Sequence, residues 1–203
     1  MHAHADAMAK LQIITAPDPR LKLKAKPVGQ VDDEIRRLMD DMLETMYAAP
    51  GIGLAAPQVG VAKRVLVLDV SQGEPPRQPL RIADPEIVWA SDDDVVYEEG
   101  CLSVPDHYAE VARPANVRIR YRDEQDKVQE IEPTGLLATC LQHEIDHLEG
   151  TLFIDHISAL KRNMILRKLL KARKEAERDD NDGKPTKPKA KSKAKSEEPA
   201  GAT

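Results

Sequence analysis

The sequence predicts an α+β domain with mainly antiparallel β-sheets packed around a central helix that carries candidate metal ligands. Three observations predict it. Short runs of branched residues follow one another between residues 64 and 131, as strands do. They give way to helical apolar spacing at Leu136, Leu137, Leu141, Ile145 and Leu148. Strands followed by helices, rather than alternating with them, favour antiparallel pairing. A chain of 203 residues with 41% hydrophobic content is most simply one domain with room for a real core.

Residues 1–12 read as a flexible N-terminus, His2 and His4 included, and Met8 offers an alternative translation start to Met1. Asp32 or Asp33 can cap a helix that runs to about Ala49. Its apolar positions Ile35, Leu38, Met39, Met42, Leu43 and Met46 share one face, which reads as a core face rather than a ligand groove. Gly51 to Gly60 is a glycine-rich loop with Pro57 inside it. Arg64 to Asp69 is a strand, and Ser71 to Pro79, with three prolines, a loop. Leu80 to Ala83 and Glu86 to Trp89 read as two short strands. Val95 to Glu98 leads into a cysteine segment in which Gly100 allows unusual backbone angles and Pro105 stiffens the exit. Tyr108 to Ala112, Val117 to Tyr121 and Val128 to Ile131 follow as strands. Thr134 is placed to cap the helix of residues 135–148, and a last helix spans about Ser158 to Glu177. Residues 13–177 thus read as the folded domain, and 178–203 as a Lys-rich tail too poor in apolar residues to fold.

The net charge is −5, and no run approaches the apolar length of a membrane span. The first residues lack a basic region followed by an apolar stretch, so no secretory signal is read and a cytoplasmic location is expected. Two cysteines in such a chain argue poorly for a disulfide.

The chemistry begins at His143-Glu144-Ile145-Asp146-His147. Histidines four apart on a helix project from one face, so both imidazoles can reach one metal ion. The intervening glutamate can then work on a water held there, which points to metal-assisted hydrolysis. A third protein ligand is needed. A histidine six residues downstream is absent, because that position is Phe153. Glu175 and Glu177 lie in a basic, solvent-facing stretch, so a soft ligand is the better candidate, from Cys101 or Cys140. Cys140, among leucines, reads as a small core residue.

Three separated segments carry a resemblance: Gly51-Ile52-Gly53-Leu54-Ala55-Ala56-Pro57-Gln58-Val59-Gly60, Glu99-Gly100-Cys101-Leu102-Ser103, and Gln142 through Gly150. In that order they resemble the peptide deformylase family, from about Ile13 to Leu170. The resemblance implies Cys101, His143 and His147 as metal ligands and Glu144 as general base. It assigns the oxyanion to the Gln58 amide and the Leu102 backbone N–H, donors whose individual loss costs on the order of 10²–10³ in turnover. Gly51, Ile52 and Gly53 would run beside the substrate as an added strand, glycine allowing close approach. Ile52, Tyr97, Leu136, Thr139 and Cys140 would line an apolar pocket for methionine. Fe²⁺ is the implied metal, with Zn²⁺, Ni²⁺ or Co²⁺ as substitutes that a thiolate also accepts. The implied reaction removes the N-formyl group from the starting methionine of new polypeptides, releasing formate. A monomer is expected, with the ribosome a partner through the basic last helix and tail. Asp146 and Glu99 both remain open as supports for a ligand histidine, and Gln142 as a support of the Cys101 segment.

Overall fold

The structure, a computed structural model, describes residues 10–71 and 76–181. The Lys-rich tail expected from 178 therefore lies outside the described residues from 182 onward, as do His2, His4 and Met8. Leu11 belongs to the body: its N–H donates to Thr45 Oγ1 at 2.9 Å and its side chain packs beside the first helix.

Helix α1 spans Asp33–Ala48, and Asp32 caps it, accepting from the Ile35 N–H at 2.9 Å. Strands β1 (Gly53–Ala55), β2 (Val65–Leu68), β3 (Leu80–Ala90), β6 (Val117–Arg122) and β7 (Val128–Ile131) form a five-stranded antiparallel sheet in the order β1-β2-β3-β6-β7. Strands β4 (Asp94–Cys101) and β5 (Val104–Pro114) pair as a separate antiparallel hairpin. Helix α2 covers Gly135–Leu148, and α3 runs over Ala159–Asn181, continuing past the predicted end at Glu177.

All of β2 is buried because both sheet faces are covered. Val65 and Val67 meet the Met39, Met42 and Met46 stripe of α1, so the stripe is core. Leu66 and Leu68 turn the other way, to Leu141, Ile145 and Leu148 of α2. A third cluster ties Val104 and Val111 of the hairpin to Leu152, Phe153 and Leu169.

Three local expectations change. The two short strands around residue 84 are one strand, β3. Pro85 brings no N–H to the ladder and Asp84 takes a φ of 47°, so pairing is interrupted by a register shift rather than ended. The glycine-rich loop contains strand β1 and a 3-10 turn at Ala56–Val59. Thr134 stands at the N-cap of α2, but its side chain makes no capping bond.

Candidate metal centre

Helix α2 brings His143 and His147 to its surface one turn apart, with ring centroids 5.0 Å from each other. The hairpin supplies the third group. Its ladder breaks between Gly100 and Cys101, where Cys101 pairs with Val104 across a tight reversal. That break aims the Cys101 sulfur at the helix, 3.3 Å from His147 Nε2. Ligand atoms of Cys101, His143 and His147 all lie within 4.8 Å of one another, the one such group among the described residues. Glu175 and Glu177 instead pair along α3 with Lys171 and Arg173.

Gly100 does not have the unusual backbone expected of it. It has no positive φ, and its need is space, since a Cβ there would come 2.5 Å from the Tyr108 ring.

Support for the first histidine comes from Glu99. Its Oε2 lies 2.8 Å from His143 Nδ1, which turns Nε2 toward the site. Arg113 grips the same carboxylate through Nε at 2.5 Å and Nη2 at 3.0 Å, and spans to Asp146 at 2.8 Å. Asp146 is thus bound to Arg113 and to His156, not to a ligand histidine. Gln142 donates to the Pro114 carbonyl at 3.1 Å, anchoring α2 to the end of β5. Sequence reasoning missed Arg113, whose signal was to be the lone arginine in an acid-rich segment, residues 92–114.

Charge at the site follows from these contacts. Burial works against ionised Glu99, but His143 and Arg113 outweigh it and hold its carboxyl down at about 2. Burial also opposes a charged His143, yet the Cys101 sulfur and Glu99 beside it outweigh that and raise its pKa. His147 is pushed well below the usual imidazole range by burial and by the neighbouring His143 charge. Positive charge is thus favoured at His143 and disfavoured at His147. The two-nitrogen, one-sulfur donor set fits a transition metal and not Mg²⁺ or Ca²⁺.

Glu144 points from the same helix but is only 4% exposed, with Oε2 lacking a partner. Burial, the largest influence, pushes its carboxyl up to about 7. Gln58 accepts the Ala55 N–H on Oε1 at 2.8 Å, which turns its amide nitrogen toward Ser103 Oγ at 3.2 Å and Cys101 Sγ at 3.5 Å. Ser103 is a second residue that sequence reasoning missed; its backbone N–H also donates to the sulfur at 3.4 Å.

A cleft of about 570 Å³ opens onto this centre. Gly51, Ile52, Gly53, Gln58, Tyr97, Cys101, Leu102, Leu136, Thr139, Cys140, His143 and Glu144 all line it, while His147 sits behind them. Gly53 faces inward, where a Cβ would overlap Glu144 Oε1 and lie 3.0 Å from Cys140 Sγ. The arrangement can bind a cation, present a buried base of near-neutral pKa to a water, and hold an extended chain along β1.

Comparison with known proteins agrees with this geometry. A family model described as polypeptide deformylase matches residues 10–163. A peptide deformylase of Phenylobacterium zucineum is 57% identical over 169 residues, 83% of this chain and 100% of that protein. One from Rhizobium meliloti is 59% identical over 162 residues, 80% of this chain and 93% of that protein. Among solved structures, peptide deformylase from Ehrlichia chaffeensis superposes with a TM-score of 0.79 at 42% identity, covering 83% of this chain and 99% of that one. The same organism's enzyme in complex with actinonin gives 0.78 at 44% identity, covering 81% and 98%.

Proposed function

This chain belongs to the polypeptide deformylase family, and from that premise we propose which of its residues carry the reaction. The reaction is removal of the N-formyl group from newly made polypeptides. Cys101, His143 and His147 hold the metal. When bound, the ion acts as a Lewis acid that polarises a carbonyl oxygen and lowers the pKa of water from about 15.7 toward neutrality. What supports this reading above all is the convergence of the three ligand atoms within 4.8 Å.

Glu144 takes the proton of the attacking water and returns it to the departing amine. Its burial suits the task, because a carboxyl held at about 7 can both accept and release a proton near neutral pH. Attack at the formyl carbon places negative charge on its oxygen, and the Gln58 amide and the Leu102 N–H donate to that charge. The Ala55 N–H bond to Gln58 Oε1 keeps the donating end of the amide facing the centre. Collapse releases formate and a free amino terminus. The peptide lies along Gly51–Gly53, and its methionine side chain enters the pocket of Ile52, Tyr97, Leu136, Thr139 and Cys140.

Fe²⁺ is the working metal in this reading, with Zn²⁺, Ni²⁺ or Co²⁺ as substitutes. The exposed basic residues of α3, such as Lys161, Lys168 and Lys171, face a ribosomal partner. The protein acts as a monomer in the cytoplasm. Among the described residues, no helix is long and apolar enough to cross a membrane.

Protein purified without oxygen is expected to carry iron and to release formate from a formyl-Met peptide while leaving the unformylated peptide intact. Air should abolish that activity, and Ni²⁺ or Co²⁺ should restore it. Full activity in aerobic, zinc-only protein would count against iron, and cleavage within the unformylated peptide would count against the reaction.

A further inference from the structure

His156 follows the 3-10 turn Phe153–Asp155 and is exposed to solvent, outside the residues that line the cleft. Its ring Nε2 lies 2.7 Å from Asp146 Oδ2, and the same oxygen accepts from Arg113 Nη1 at 2.8 Å. An ionised carboxylate only accepts, so His156 Nε2 carries the proton of that bond. Arg113 turns its other edge, Nε and Nη2, to Glu99, whose Oε2 meets His143 Nδ1 at 2.8 Å. An unbroken line of hydrogen bonds thus runs from a surface imidazole through three side chains to His143. The same turn braces His143 from a second side. The His156 N–H donates to the Phe153 carbonyl, and the Phe153 ring stacks on His143 with centroids 6.2 Å apart. Asp146 is the weak link of the line. Its side chain is 25% exposed against 5% for Glu99 and 6% for Arg113, so of the three it is the one that water can draw away.

We propose that His156 is a positioning residue for the metal centre: its ring N–H pins Asp146, which holds one edge of the Arg113 guanidinium and, through Glu99, fixes the His143 ring. The inference rests on the reading of Cys101, His143 and His147 as ligands. Arg113 is a buried cation, and it is satisfied by a carboxylate at each edge. With Asp146 turned to water, the guanidinium settles around Glu99 alone, and Glu99 Oε2 is the atom that orients His143. A ligand imidazole whose second nitrogen is loosely held retains its metal less well.

The test follows release of Co²⁺ from the metal-loaded protein to excess chelator, read by the visible absorption of bound cobalt. His156→Phe keeps a ring but has no N–H. It should release the ion about fivefold faster than wild type, below the roughly 10–100-fold cost of losing the direct partner of a ligand histidine. His156→Gln, whose amide can donate to Asp146, should return to the wild-type rate. Asp146→Asn should also speed release, and adding His156→Phe to it should change nothing further, because the two act through one bond. A merely structural role would make the Phe and Gln variants behave alike and the two sites add. Wild-type release from His156→Phe, no rescue by His156→Gln, or additive effects overturns the proposal and leaves the metal centre standing. Wild type that shows no sulfur-to-cobalt charge-transfer band removes both readings.

Discussion

Glu144→Gln is expected to keep its metal and lose about 10³-fold or more in turnover, the upper range for removing a general base. Glutamine has nearly the same shape, and the wild-type side chain is already 4% exposed with one oxygen unpaired, so packing is preserved. None of the three ligand residues changes, so metal content should stay at the wild-type level. What disappears is the ability to accept a proton. The pKa of about 7 arises chiefly from burial, and the amide has no equivalent titration. Turnover of formyl-Met peptide measured beside metal content separates the two effects. A near-normal rate at full metal loading would remove Glu144 from the mechanism.

Gly53→Ala is expected to lower kcat about 100-fold while the protein still folds and binds metal, because small misplacements of a catalytic group cost that much. The backbone at Gly53 is ordinary strand, so alanine is not excluded by dihedral angle. Space excludes it. The added methyl would overlap the Glu144 carboxylate and press on Cys140 at 3.0 Å. Strand β1 cannot retreat, because Gly53 is registered against Leu68 of β2 in a fully buried part of the sheet. The carboxylate must therefore move instead. Steady-state kinetics with metal analysis checks this; a variant with wild-type kcat would show that Glu144 tolerates displacement.

Several parts of this fold were legible because their signals are local. The α1 methionine stripe declares its buried face by spacing, and β7 lies over Val128–Ile131 as its branched residues suggest. The His-Glu-x-x-His face needs only helical periodicity. The third candidate ligand was not legible in that way. No local pattern says that a sulfur 46 positions from His147 comes within 3.3 Å of it, and only the resemblance singled out Cys101. Nor could spacing choose between Glu99 and Asp146 as the support for His143. That choice is made by Arg113, which crosses the hairpin and draws the two carboxylates to its two ends. Continuity of β3 was hidden by Pro85, which reads as a terminator unless the neighbouring strand carries the register past it. Gly100 reads in sequence as a backbone hinge and Gly53 as room for a substrate, while in the fold each also leaves a gap filled by a neighbour's side chain.

The claim on which the rest depends is that one sulfur and two imidazoles hold a single transition-metal ion. X-ray absorption at the metal edge of anaerobically purified protein tests it most directly. The expected spectrum has one sulfur at about 2.3 Å together with two imidazole nitrogens. A metal shell without sulfur, or protein that is fully active with no metal present, would contradict it.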